Sequence, residues 1–161
     1  MNRRTAAAVV LCVLPLPTAA VLAALVERGS ATSPSTAGAL VAAQRAAREV
    51  LSYDYRTMNA DLARAEGQMT PSFRRAFAST AASLAAEARQ VKAIVQATPA
   101  GPPGIVSAVT DRVVVLLFVD QAAVKQTPGT TTPTTRIDQE RVQLTMTRSG
   151  GRWLVAGIAA L

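Results

Sequence analysis

A long apolar stretch follows two arginines near the start of the chain. Arg3 and Arg4 precede 22 uncharged residues, 5–26, most of which are Ala, Val or Leu. As a helix rising about 1.5 Å per residue, this stretch would span about 33 Å, the thickness of a bilayer core. A chain with such a segment either buries it in lipid or loses it by cleavage. We therefore predict a transmembrane anchor over residues 1–28.

A cleaved signal peptide is the alternative to an anchor. Pro15 and Pro17 can end a shorter apolar region, and the small residues at 18–20 suit a signal peptidase. The run is longer than the ~7–15 apolar residues of a signal peptide, which favours the anchor. Arg3 and Arg4 hold the N-terminus in the cytoplasm by the positive-inside rule. We expect a single-pass cell-membrane protein whose C-terminal domain is extracytoplasmic.

The side chains available outside the anchor restrict the chemistry. The chain has no histidine, and its one cysteine, Cys12, lies within the apolar stretch. These absences exclude a Ser/His/Asp triad, a Cys/His pair and a zinc site with nitrogen or sulfur ligands. The carboxylates show no acid–base or metal-loop spacing. We therefore expect no enzyme activity, no metal and no cofactor.

The net charge of +7 raises the question of nucleic-acid binding. The arginines are scattered singly, and only 4% of residues are aromatic, so stacking platforms for bases are lacking. An extracytoplasmic domain also meets little nucleic acid. We expect none as a partner, and expect the basic surface to face lipid headgroups or acidic proteins.

The extracytoplasmic domain, residues 36–161, follows a polar hinge over residues 29–35 and begins with helical patterns. Apolar residues recur at spacings of three and four up to residue 62, which predicts one helix from Thr36 to Gly67 with Asp54 on its apolar face. Thr70 and Pro71 suit the N-cap and first position of a second helix. Phe73 and the phenylalanine four residues later face its predicted core side.

The second half of the domain has strand patterns. Residues 99–104 are rich in Pro and Gly and predict a loop or a bulged break. Residues 112–119 form an apolar run, which predicts a central strand covered on both faces. Residues 141–148 and 152–156 alternate around a Ser-Gly-Gly turn. The fold class is therefore α+β: two helices packed on a curved antiparallel sheet of about four strands, with a cone-like pocket between them.

Three segments of the sequence carry a family resemblance. They are the Tyr-Asp-Tyr-Arg segment at 53–56 with Asp-Leu-Ala-Arg at 61–64, the run at 111–121, and Gly-Gly-Arg-Trp-Leu-Val at 150–155. Together with the anchor, they resemble the Mce-associated membrane proteins of actinobacteria. The resemblance implies a nuclear transport factor two-like domain on one membrane span, and an accessory, non-catalytic role beside Mce-type lipid transporters. It carries over no defined functional residue.

Candidate contact residues come from the polar and aromatic segment and the last strand. Tyr53, Asp54, Tyr55, Arg56 and Trp153 are the candidates for a pocket or a partner contact. A buried Asp54 would need an Arg or Tyr partner, and Trp153 suits a core anchor equally well.

The leading hypothesis is an accessory subunit that assembles or stabilises an Mce-type lipid transport complex, with the transporter subunits as partners and membrane lipid contacted through the anchor. The alternatives are a scaffold subunit of a type IV secretion or conjugation apparatus, and a domain that binds a small ligand or lipid in its cone.

Overall fold

The computed structural model describes residues 34–126 and 128–161. The elements follow in chain order: α1 (Pro34–Leu51), β1 (Tyr53–Asp54), α2 (Met58–Gly67), α3 (Pro71–Gln90), β2 (Ile94–Val109), β3 (Arg112–Lys125), β4 (Thr134–Ser149) and β5 (Arg152–Ala160). The strands form one antiparallel sheet in the order β1-β2-β3-β4-β5. The α+β class is confirmed: the described residues form three helices and five strands, where two helices and about four strands were predicted for the domain.

Among residues 34–126 and 128–161, no helix combines the length and apolar composition that a span requires. The anchor predicted over residues 1–28 and most of the hinge lie outside the described residues.

The single helix expected from Thr36 to Gly67 is wrong, because the chain leaves the helix after Leu51. Tyr53 pairs with Val95 and Asp54 with Ile94, so β1 forms a short edge strand. The Ser52 hydroxyl oxygen accepts a hydrogen bond of 2.9 Å from the Ala97 backbone N–H. Aromatic residues favour extended backbone, and pairing with β2 outweighs a helical spacing that continues through this segment. Asp54 is therefore not on the apolar face of a helix.

The start of α3 confirms the predicted cap. Thr70 is extended, and its hydroxyl oxygen accepts a 3.3 Å hydrogen bond from the Phe73 backbone N–H. Pro71 occupies the first turn, where a missing N–H costs nothing. At the other end the chain reverses at Lys92, whose φ of 45° is left-handed, and enters β2 at Ile94.

The Pro-Gly segment at 99–104 is a bulge within β2, the second of the two forms predicted for it. The register shifts between Ala100 and Gly104 and again between Ile105 and Ser107, while pairing with β3 continues on both sides. β1 covers only the first two positions of β2, so the prolines lie on an edge where a missing N–H breaks no bond within the sheet.

The last hairpin extends further than predicted in both directions. β4 begins at Thr134 rather than near residue 141, and β5 continues to Ala160 rather than ending near residue 156. Gly150 and Gly151 form the turn with φ of 55° and 77°. Two successive positive φ values match the tight hairpin turn whose twist suits antiparallel strands, and glycine adopts them without a steric penalty.

The core lies between α1 and the inner face of the sheet. α1 contributes small side chains at Ala39, Ala43, Ala46 and Ala47, all almost fully buried. The sheet contributes larger ones from alternate positions of its central strands: Val113, Val115, Leu117, Val119, Val142, Leu144 and Met146. An alanine face lets the helix approach the sheet closely, and the Val and Leu side chains fill the space between them.

β3 is covered on one face only, so the expectation of cover on both faces is wrong for the described chain. Val113, Val115, Leu117 and Val119 point inward and are buried. The residues between them point to the outer face of the sheet, which no described helix covers. The run is apolar at both sets of positions, but in the outer set Val114 and Leu116 are only half-buried and Phe118 is exposed.

Candidate functional site

An apolar groove lies between α3, the end of α1 and the inner face of the sheet. Its volume is about 420 Å³, and it is open to solvent. Its apolar lining comes from Val50, Leu51, Phe73, Phe77, Leu84 and Ile158. This groove corresponds to the cone-like pocket expected between the helices and the sheet.

The N-terminal half of α3 forms one wall of the groove. α3 is fully buried only at Ala81, Ala85 and Ala88, which lie in its C-terminal half. Phe73 and Phe77 are half-buried, with ring centroids 6.4 Å apart and planes inclined by 34°. They pack against the edge of the core as predicted, but part of each ring faces the groove.

Three residues with polar side chains interrupt the apolar lining: Tyr53, Thr80 and Gln121. Burial raises the pKa of the Tyr53 phenol above its ordinary value, and the nearby Glu87 carboxylate raises it further. The phenol is therefore neutral at physiological pH. All the described residues that line the groove are uncharged, so the site suits an apolar ligand with few hydrogen-bonding groups.

The other three residues of the Tyr53–Arg56 candidate cluster point away from the groove. The Arg56 guanidinium pairs with the Asp54 carboxylate, with Nε 2.9 Å from Oδ1 and 3.0 Å from Oδ2. This hydrogen bonding and charge lower the pKa of Asp54 and raise that of Arg56. Tyr55 packs beside Met58, and the Arg56 guanidinium lies 6.0 Å from the Tyr55 ring centroid. The cluster therefore contributes one side chain, Tyr53, to the groove.

Trp153 lies at a separate place, against the first turns of α1. A β-carbon built on Gly38 would lie 3.5 Å from the indole Nε1 and 3.7 Å from Cδ1. The indole is half-buried and packs against the main core. The structure thus places Trp153 as a contact between β5 and α1 and does not bring it to the groove.

Asp61 is the buried acid that the sequence pattern assigned to Asp54. Only 4% of Asp61 is exposed. Its Oδ2 accepts hydrogen bonds from the Asp54 backbone N–H at 2.8 Å and from the Thr57 hydroxyl at 3.0 Å. Its Oδ1 pairs with the Arg64 guanidinium, which also lies 3.4 Å from a Glu49 carboxylate oxygen. Asp61 thereby fixes the turn that carries Tyr53 into the groove.

A signal for Asp61 was present in the sequence. Thr57 precedes Asp61 by four residues and Arg64 follows by three, so both reach it once a helix begins near residue 58. The helix predicted to run through Asp54 concealed this arrangement, because it placed Thr57 in a helix interior rather than before a helix start.

The outer face of the sheet exposes a second apolar surface. We call the side chains Val114, Leu116 and Phe118 of β3 the outer row. Phe118 is 42% exposed, and Ile137 on the neighbouring β4 is 75% exposed. Between these two, Gln139 Nε2 donates to Asp120 Oδ1 at 3.0 Å. Val114 and Leu116 are half-buried, and an apolar patch that includes an exposed aromatic side chain is typical of an interaction surface.

The described residues offer no metal centre. Within residues 34–126 and 128–161, no three His, Cys, Asp or Glu side chains come together in a way that could hold a metal ion.

Comparison with known proteins gives matches in structure only. No protein-family model matches the chain, and no curated protein matches it in sequence. Among solved structures, an IcmL-like type IV secretion system protein from Legionella pneumophila matches with a TM-score of 0.59 and 15% identity, over 80% of this chain and 94% of that one.

Two further solved structures share the architecture. CagV, a VirB8 homolog from Helicobacter pylori, matches with a TM-score of 0.57 and 14% identity, over 77% of this chain and 96% of its own. The periplasmic domain of DotI matches with a TM-score of 0.56 and 15% identity, over 82% of this chain and 99% of that one. At these identities the likeness shows the fold alone. The described domain has the nuclear transport factor two-like fold that these three proteins share.

Proposed function

We propose that this protein is a membrane-anchored scaffold subunit of a cell-envelope complex of the type IV secretion kind. The observation that carries the proposal is the fold, which covers 94% and 96% of two proteins from such systems. The DotI structure, which has the same fold, is a periplasmic domain, and an extracytoplasmic domain is what the anchor predicts for this chain. In this role the protein holds partners together and catalyses no reaction.

The outer row supplies a surface for such a partner. Its apolar side chains lie on a sheet face that no described helix covers, and a partner that buries them gains hydrophobic free energy. Small residues, Ala100 and Gly104 on β2, border the row on one side, and polar or charged ones, Arg141 and Gln143 on β4, border it on the other. An exposed aromatic within an apolar patch is the usual form of an interface anchor.

The test is co-purification of the tagged full chain from membranes of its native host. We expect subunits of a secretion apparatus, and we expect Phe118→Arg to weaken their binding roughly thirtyfold, the effect of losing an anchor worth about 2 kcal/mol. Val41→Arg is the matched control, because Val41 is an exposed apolar residue on α1. The proposal fails if no secretion subunit co-purifies, and the outer row is not the surface if both variants behave alike.

An accessory subunit of an Mce-type lipid transporter is the second candidate. The three sequence segments that resemble the Mce-associated proteins favour it, and its anchor and domain arrangement would be the same. The same purification separates the two candidates, because the co-purifying partners would be Mce subunits and their permeases instead of secretion subunits.

A further inference from the structure

We infer that the groove between α3 and the sheet binds a single hydrocarbon chain, the acyl chain of a fatty acid or a membrane lipid. This is a ligand-binding role beside the scaffold role, and it does not depend on which complex the protein joins. The volume of the groove, its chemistry and its polar groups support it independently.

The volume argues for a slender occupant. A groove of about 420 Å³ lies near the lower end of the ~300–1,000 Å³ typical of small-molecule sites. A volume of this size suits a small ligand such as one hydrocarbon chain.

The lining argues against an extended peptide. Each residue of such a peptide brings a backbone N–H and C=O that must be satisfied when buried. The groove offers three polar side chains, Tyr53, Thr80 and Gln121, among apolar walls. A saturated chain has no such requirement, and each methylene it buries strengthens binding about fourfold.

The polar side chains of the groove can orient the bound hydrocarbon chain. A carboxyl or ester oxygen at one end of the occupant can accept from the Tyr53 phenol or the Gln121 amide. The raised pKa of Tyr53 keeps its proton available for this bond. Since the described residues that line the groove are uncharged, they recognise the hydrocarbon chain of the ligand and not a phosphate headgroup.

The experiment uses the full chain in membranes of cells fed palmitic acid that carries a photoreactive diazirine. After irradiation, trypsin releases residues 76–89, which contain most of the α3 wall of the groove, as one peptide. We expect adducts on this peptide, counted relative to adducts on the anchor. The adduct mass distinguishes the free fatty acid from a phospholipid that has incorporated it.

Two blocking variants and two matched controls make the result specific. Ala76→Trp and Thr80→Trp place an indole in the groove, and displacing even two methylenes lowers labelling roughly tenfold. Ala78→Trp and Ser79→Trp place the same indole on exposed positions of α3 outside the lining, and we expect labelling as in the unmodified protein. Limited proteolysis confirms that each variant is folded.

The contrary results are equally defined. Absence of adducts on residues 76–89, with the anchor labelled, overturns the inference. Labelling that both blocking variants leave unchanged overturns it as well, because the lipid would then be touching the outside of α3. Neither outcome bears on the scaffold proposal, which stands or falls with co-purification.

Discussion

Replacing Asp61 by alanine should destabilise the domain more than any other single change in its polar residues. The carboxylate is almost fully buried, since only 4% of Asp61 is accessible to solvent. It accepts two hydrogen bonds, from Asp54 N–H and from the Thr57 hydroxyl, in addition to its pairing with Arg64. In the variant, both donors lose their partner within the turn between β1 and α2.

The magnitude follows from these contacts. Hydrogen bonds to a charged acceptor contribute about 1.5–3 kcal/mol each, and removing the carboxylate also removes its desolvation cost. Arg64 remains 58% exposed, so it regains water and adds little. The net cost of Asp61→Ala is therefore about 2–4 kcal/mol, or a fall in Tm of roughly 10 °C for a domain of this size.

The assay is equilibrium unfolding of the extracytoplasmic domain in guanidinium, with thermal unfolding as a second measurement. Thr57→Val removes one of the two bonds and should cost about 1.5 kcal/mol, the lower end of that range. Arg64→Gln removes a largely exposed partner and should cost at most about 1 kcal/mol. If Asp61→Ala costs no more than Arg64→Gln, the turn is not held by the buried carboxylate and the reasoning is refuted.

Three further predictions concern separate parts of the domain. Gly38→Ala should raise the free energy of unfolding by about 0.5–1 kcal/mol, because the added methyl meets Trp153 at an ordinary 3.5 Å and glycine is a poor helix former; a lower denaturation midpoint would contradict this packing. Thr70→Ala should cost about 1 kcal/mol through the lost N-cap, with Thr70→Ser as a near-neutral control. Folding raises the pKa of Tyr53, so the neutral phenol contributes fully to the free energy of unfolding below about pH 10, and this contribution is lost as pH rises through the pKa of the folded domain. In unfolding measured against pH, Tyr53→Phe should remove this alkaline fall in stability, whereas Glu87→Gln should only reduce it.

Local sequence signals predicted the parts of the fold whose chemistry is local. Thr70 and Pro71 marked the start of α3 because capping depends on a few consecutive residues, and the Gly pair at 150–151 marked the last hairpin for the same reason. The break after Leu51 was missed because apolar spacing continues through it. What ends α1 is pairing of β1 with a strand that lies beyond both following helices, which no local pattern reports.

Among the candidate residues too, the predictions succeeded where local sequence decides and failed where distant segments meet. Tyr53 lines the groove, and a cone between helices and sheet follows from the element order. Asp54 was assigned the role that Asp61 plays, because the predicted helix continued through Asp54, where the structure has a strand. Gln121 was absent from the candidates; it is a polar residue on β3, and it faces the groove only through the register that pairs it with Ala97.

The apolar run at 112–119 links the error in the predicted cover of β3 to the proposed function. Its composition suits a strand covered on both faces, and the helices of its own domain cover one face. Water-exposed positions of an antiparallel sheet are ordinarily polar, as Gln143 and Thr145 are on the next strand. A run that stays apolar at Val114, Leu116 and Phe118 carries a cost in solution that a cover from another molecule would remove. If Phe118→Arg co-purifies with as much partner as the unmodified protein does, this sheet face is not the one that the partner covers.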